Sequence, residues 1–322
     1  MTARHIGCAI LTAIIVCAGC DGLEEPPPEE SRDAGPRGTE LIGSFSVTLL
    51  APSDSDPEGH TSLIGKVYDG PSPSQLVWEE SMRDGDCQLL TPRAPFCPQA
   101  CGGEAVCVED GVCQSYPTAQ NVGTVRVKGL KTRSGDREFA MEPIANAYQP
   151  NASIKLPFPA FSEGDDVQLK ATGGDLEAFT LEAKGIAPLS VPVQALKLES
   201  GAPLAVTWTK PKTQRDSRVR MKLDISHHGG SKGMISCDSD DTGEAQLSAA
   251  MVTQLLELGV AGYPSLIVSR ESAGGVSIQP GRVELMVVSK EERFVEIEGL
   301  RSCTGDGDCG FGQTCQADLT CL

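Results

Sequence analysis

The nine residues Ser217–Ile225, SRVRMKLDI, set Val219, Met221, Leu223 and Ile225 at every second position, with Arg218, Arg220, Lys222 and Asp224 between them. A period of two puts the apolar set on one face of an extended chain and the charged set on the other, which is the pattern of a half-buried antiparallel strand. The same alternation recurs in Val167-Leu169-Ala171, Phe179-Leu181-Ala183, Leu204-Val206-Trp208 and Val283-Leu285-Val287. Shorter runs at Gly233–Cys237, Pro264–Arg270 and Arg293–Glu298 bring this half to about eight strands, with Gly, Pro, Asn or Asp in the gaps. Upstream, Phe45-Val47-Leu49, Ser62–Tyr68, Leu76–Trp78 and Val122–Leu130 also read as strands. One helix is expected over Ala249–Leu258, with Ser248 as its N-cap and Gly259 as its stop. Trp208 falls on an inward face and reads as core.

The expected fold is therefore all-β: β-sandwich (Ig-like) domains with two small disulfide-rich modules and one short helix. A first β domain is expected over 41–158, carrying a cystine module at 87–118. The Pro-rich crossing 156–161 leads into a second β-sandwich over 159–301, and a second cystine module occupies 302–322.

Composition agrees with many short strands and turns. Of 322 residues, 39% are hydrophobic and 22% charged, enough to fold, while aromatics are only 4% and Gly and Pro number 35 and 22. The formal net charge is -17. A nucleic-acid partner requires a basic footprint, which is absent. An acidic surface also disfavours direct adhesion to anionic lipid headgroups.

Residues 1–19, MTARHIGCAILTAIIVCAG, read as a signal peptide. A short basic start at Arg4 and His5 precedes an apolar run from Ile6 to Val16, too short to span a bilayer. Ala18-Gly19-Cys20 then resembles a bacterial lipobox, with Cys17 standing where that pattern carries Leu, Val or Ala. Residues 20–40 continue as an acidic, Pro-rich tether, DGLEEPPPEESRDAGPRGTE after the Cys, which reads as disordered and able to reach roughly 60 Å. The lipobox resemblance implies a lipid thioether and an acylated amine (palmitate-type anchoring) on Cys20, and several acyl chains together anchor stably.

Thirteen cysteines are present. Cys8 and Cys17 leave with the signal peptide and Cys20 is assigned to lipid. Ten remain, an even number in an exported chain, so disulfides are expected. Cys101, Cys107 and Cys113 are separated by two five-residue gaps, and so are Cys309, Cys315 and Cys321. Cys97 and Cys303 precede the two runs. This is an internal repeat of a module too small to hold a core of its own. Four cysteines allow three connectivities. The one preferred is first-to-third and second-to-fourth, Cys97–Cys107 with Cys101–Cys113 and Cys303–Cys315 with Cys309–Cys321, because pairing adjacent cysteines leaves two independent loops. Cys87 and Cys237 then pair by elimination. Zinc is the rival reading, disfavoured by five-residue gaps and the lack of His in either module.

Taken together, the lipobox, the tether, GKVYDG at 65–70, the paired cystine modules and CTGDGDC at 303–309 resemble a group of predicted bacterial lipoproteins of myxobacterial type. The resemblance spans nearly the whole mature chain in layout, and only the cystine spacing is specific. It implies a secreted, membrane-anchored β protein of the cell envelope and implies no reaction.

Marks of catalysis are sparse. Beyond the leader the histidines are His60, His227 and His228, and no G-x-S-x-G, H-E-x-x-H or Walker sequence occurs. His227 and His228 are adjacent, so on a strand they would point to opposite faces and could not share a metal; with the following Gly-Gly they read as a surface turn. Paired carboxylates for glycoside hydrolysis are available, but two Trp and four Tyr are few for a sugar cleft. The best metal candidate is Asp238, Asp240, Asp241 and Glu244, hard oxygen ligands for calcium. The run opens like an EF-hand, but position twelve is Ala249 where a bidentate Glu is required, which leaves a looser calcium loop or a solvated turn. Asp306 and Asp308 read as turn residues.

The expected function is non-catalytic: a lipid-anchored envelope protein that faces the periplasm or cell surface and displays or binds a protein or glycan partner, with no required cofactor. The alternative is an extracytoplasmic hydrolase, or a subunit of one, with an acidic, calcium-bound site.

Overall fold

The computed structural model describes residues 40–192, 196–213 and 217–322. The leader, Cys20 and the tether to residue 39 lie outside the described residues. In chain order the first nine strands are β1 (Leu41–Leu50), β2 (His60–Val67), β3 (Val77–Asp84), β4 (Cys87–Arg93), β5 (Ala105–Glu109), β6 (Val112–Ser115), β7 (Val125–Lys128), β8 (Glu138–Met141) and β9 (Ala147–Tyr148). There follow β10 (Asp166–Ala171), β11 (Phe179–Lys184), β12 (Leu196–Leu198), β13 (Leu204–Thr207), β14 (Arg218–Asp224), β15 (Met234–Asp240), β16 (Glu244–Leu247), the helix α1 (Ala249–Glu257), β17 (Ser265–Ser277) and β18 (Arg282–Ile297).

The described residues are all-β around one short α-helix. A ten-stranded sheet runs β3-β4-β15-β14-β17-β18-β1-β2-β9, with β12 added beside the end of β18. A four-stranded sheet, β11-β10-β7-β8, covers one half of it as a sandwich. The alternating run within Ser217–Ile225 forms β14, in mid-sheet between β15 and β17, with Val219, Met221 and Leu223 buried.

Two cores line this single sheet. The first packs Phe45, Val47, Leu63, Val283, Leu285 and Val287 against Val125, Val127, Val167, Leu169 and Leu181 of the smaller sheet. The second packs Val219, Met221, Leu223, Ile235, Leu266 and Val268 against Trp208, Leu247 and the helix. Helix α1 starts where the sequence predicts: the Ser248 side chain accepts a hydrogen bond from Met251 N, and Met251, Val252 and Leu255 are buried. Gly259 follows its end at φ +86°, a conformation that favours glycine.

The expected boundary at 158/159 does not separate two bodies. β1, β2, β4 and β9 lie in the same sheet as β14, β15, β17 and β18, and Leu156, Ala160 and Phe161 of the Pro-rich crossing are buried in the first core. The reason is that β17 and β18 are far longer than alternation suggests, thirteen and sixteen residues, and serve both cores. The expected strands at 283–287 and 293–298 are thus one strand. Between them Ser289 is buried, and its Oγ accepts a hydrogen bond from Leu189 N at 2.9 Å. β17 likewise runs through Gly274, where an added Cβ would lie 1.8 Å from the Glu182 carbonyl; only glycine lets β11 approach this closely.

The seam between the cores is polar. Arg270, on the inward face of β17, is fully buried, as is Asp241 just beyond β15. Arg270 Nε donates to Asp241 Oδ2 at 2.5 Å and Nη2 to Oδ1 at 3.1 Å. Nη1 donates to the Ala187 and Pro188 carbonyls, and Nη2 also donates to the Thr209 carbonyl. All five guanidinium protons are therefore used. The carboxylate also accepts Trp208 Nε1 at 2.7 Å and Ser217 Oγ at 2.6 Å.

The register gives the sheet two poles. β1 is parallel to β18, with Leu41 opposite Arg282 and Leu49 opposite Ser289. The chain therefore enters at the start of β18, while β18 continues to Ile297, about 50 Å of strand from Arg282. β4 passes from Cys87, opposite Cys237, to Leu90, opposite Met234 at the start of β15, and runs on to Arg93. Asp224 pairs with Met234 and Ser265, and Ser265 with Phe294. Hence the exit of β4 towards the first module and the exit of β18 towards the second lie at one pole, and Glu40 lies at the other.

Removing one member of a buried, fully bonded ion pair strands the other charge. Arg270→Met is expected to lower unfolding free energy by about 3–5 kcal/mol, and Arg270→Met with Asp241→Leu to recover most of that loss. Urea denaturation of both variants checks this; equal destabilisation by the single and double changes would contradict it.

Candidate binding surface at the cystine pole

The first module is a β5–β6 hairpin, joined by Cys97–Cys107 and Cys101–Cys113. The second is joined by Cys303–Cys315 and Cys309–Cys321. These are first-to-third and second-to-fourth pairs. Among the described residues, the groups of three or more metal-ligating side chains are Cys97, Cys101 and Cys113, and Cys303, Cys309 and Cys321, and all six form disulfides. Cys87–Cys237 ties β4 to β15 across the sheet, both cysteines buried, and closes a separation of 150 residues. A closure of that length removes about 5 kcal/mol of unfolded-chain entropy in the loop-entropy account. Five disulfides fit a chain that folds outside the reducing cytosol. No described helix is long and apolar enough to cross a membrane.

Charged hydrogen bonds fix the first module to the sheet edge. Arg93 donates to Glu79 on β3 at 2.6 Å and to Asp110 in the hairpin turn at 2.9 Å. Asp110 also accepts the Phe96 N–H at 2.8 Å, and Gly111 N donates to the Phe96 carbonyl. The Phe96 N–H and then Arg93 hold the Asp110 carboxyl below its ordinary range, while Glu79 and Asp110 raise Arg93 above its own. Phe96 is consequently held outward, 71% exposed, beside the exposed Val112. Tyr116 is exposed at the hairpin base, where its hydroxyl accepts a hydrogen bond from Gln75. Trp78, paired with Pro92 across β3–β4, is also exposed.

The second module docks through its backbone. Gly262 N donates to the Asp318 carbonyl at 2.7 Å and Ser302 Oγ to the Gly262 carbonyl at 2.5 Å. Asp308 accepts Thr304 N and Oγ1, and the backbone N–H, then the hydroxyl, lowers its carboxyl. Asp306 accepts Cys315 N at 2.9 Å. These two carboxylates brace the loop as turn residues. Phe311 and Leu322 stand in solvent. Among the described residues, six of the eleven exposed large hydrophobic side chains thus lie in a module or beside one. Sequence reasoning overlooked Phe96, Tyr116 and Phe311. The available signal was that an aromatic side chain in a module without a core has nowhere to be buried.

The calcium loop is not assembled, which corrects the expectation for Asp238, Asp240, Asp241 and Glu244. Asp238 and Asp240 are on the strand face that bears Arg218 and Arg220, and Asp238 accepts Arg218 Nε at 2.5 Å. Asp241 turns inward to Arg270, and Glu244 is exposed on β16. Asp238 and Asp240 share one face with their arginines, while the break after β15 turns Asp241 inward and leaves Glu244 on β16, so the four carboxylates do not converge.

His227 and His228 lie in a turn after β14, as the following Gly-Gly suggests; His228 has φ +64°, and the ring centroids stand 3.9 Å apart. His60 Nδ1 lies 2.7 Å from Asp56 Oδ2, and that hydrogen bond lowers the Asp56 carboxyl. The pair sits at the rim of an open groove between β2 and residues 149–156.

No family model and no curated protein matches the chain. Among solved structures, the FN1–FN3 domains of chicken CNTN1 align with 74% of this chain and 74% of their own, at 10% identity and a TM-score of 0.17. A likeness that low bears on neither fold nor function.

The lowered carboxyls give a signed pH dependence. A depressed folded value contributes stability that is complete above the unfolded value and is lost as pH falls through the folded one. The amide resonances of Phe96 and Thr304, whose N–H groups Asp110 and Asp308 accept, are expected to shift only below the ordinary carboxylate range of roughly pH 4. NMR titration checks this; midpoints above that range would contradict it.

Proposed function

We propose that the protein is a non-catalytic, lipid-anchored component of the cell envelope that holds its cystine modules away from the membrane to bind a partner. The observation that carries this reading is the polarity of the sheet. The chain enters β1 beside Arg282, and the modules leave from the ends of β4 and β18 at the opposite pole. An anchor at Cys20, joined through the acidic, Pro-rich residues 21–40, puts the first pole towards the lipid and the second towards its surroundings. Self-repulsion from the net charge of -17 keeps such a body off an anionic surface. The modules are rigid and cross-linked, and they concentrate exposed aromatic side chains in a chain poor in them. Aromatic residues are enriched at protein interfaces because they bury much area for few rotatable bonds.

Cys20→Ala is expected to move the protein from the membrane fraction to the soluble or secreted fraction, and to remove the acyl mass from the N-terminal peptide. Fractionation with mass spectrometry reads both. Unchanged membrane partition, or an unacylated wild-type peptide, would refute the anchor.

A further inference from the structure

The two cystine modules share more than spacing. Residues 94–118 and 302–322 contain six carboxylates, Glu104, Glu109, Asp110, Asp306, Asp308 and Asp318, and no Lys or Arg. Each also holds an aromatic ring in solvent, Phe96 in one and Phe311 in the other. Their exits from the sheet, at β4 and β18, are separated by four strand spacings in the order β4-β15-β14-β17-β18, about 19 Å. The cations around this pole are Arg93, already shared by Glu79 and Asp110, Arg301 just before the second module, Lys232 in the β14–β15 loop, and Arg293 and Lys197 at the end of β18, which face Glu291 and Glu296.

From this juxtaposition we infer that the two modules form one bipartite docking surface for a cationic protein segment that carries apolar side chains. This rests on the display reading above and specifies the partner's chemistry. The physical case is complementarity in two terms. Acidic surroundings raise the local concentration of a cationic segment and steer its approach, an effect that weakens with salt. Phe96 and Phe311 then provide desolvated anchors, the kind of contact that dominates interface energetics. Two anchors at one end of a rigid sheet let a single segment engage both, so the second contact forms at high effective concentration. The partner is expected to be basic, which also sets it apart from a second copy of this acidic chain.

The probe is a short fluorescent peptide of alternating Lys and Leu, with the Glu–Leu peptide as control. It is titrated against the full chain as purified from cells, and anisotropy is read. The Lys–Leu peptide is expected to bind and the Glu–Leu peptide not. Phe96→Ser with Phe311→Ser keeps the net charge and is expected to weaken binding about tenfold. Glu104→Gln with Glu109→Gln, two exposed positions, is expected to weaken it about threefold, less so at high salt. Disulfide count by mass confirms that each variant is folded.

Unchanged affinity in the double Phe variant overturns the proposal, because binding would then be spread over the acidic surface. Equal binding of both peptides overturns it as well. So does self-association of the wild type, by sedimentation, that the Phe variant abolishes, since the occupant would then be a second copy. The assay is independent of acylation: a failed anchor leaves its result standing, and absent peptide binding leaves the Cys20 result standing.

Discussion

The fold turns on the contact between Arg270 and Asp241. Two side chains with no solvent exposure satisfy each other and draw in three further pieces of chain: the Ala187–Pro188 crossing, Trp208 and Thr209 after β13, and Ser217 before β14. Buried charges are tolerated only when every proton and lone pair finds a partner, so this contact admits very few arrangements of those segments. An apolar residue at Arg270 could join either core. The guanidinium fixes where one core stops and the other begins, and so allows one sheet to carry both.

That arrangement explains why the protein is polar along its long axis. β17 and β18 continue through the seam because inward positions there change from apolar to hydrogen-bonding residues without breaking the ladder. Ser272 and Ser289, both buried, accept backbone N–H groups from Lys184 and Leu189 as the covering layers cross over. With unbroken strands, the chain's entry and its two cystine modules are set at opposite ends of a continuous hydrogen-bonded body. The outer edge of the big sheet, β3, carries Glu79, Glu80, Arg83 and Asp84 and shifts register between Glu80 and Met82, both of which discourage pairing with another sheet.

Much of this was legible in the residues. Alternation located β14, β10 and β11, because each has one buried and one solvated face, and the Ser248 cap located the helix. Spacing and elimination led to the five cystine pairs found in the structure. The reading failed where a strand changes its inward chemistry. Ser289 to Glu292 is polar enough to pass for a turn, and Gly274-Gly275 looks like one, so the sequence pattern breaks two long strands into short ones and suggests a domain boundary that the sheet does not respect. The acidic run at 238–244 misleads for a related reason: its composition suits calcium, but Asp238 and Asp240 are committed to Arg218 and Arg220 on the neighbouring strand β14, and Asp241 to the buried Arg270. The exposed aromatic residues of the modules have no periodicity to betray them, and only the lack of any local core marks them.

Cys87 and Cys237 lend the molecule a particular order of assembly. A chain synthesised N-terminus first presents Cys87 before the four cysteines of the first module, which close among themselves over separations of 10 and 12 residues. The proper partner of Cys87 is 150 residues behind it. During that interval its thiol stands near four others of its kind. β1 waits longer still, for β18. Maturation of this protein is thus a matter of timing as well as of affinity, and it places a demand on whatever disulfide-exchange capacity its compartment has.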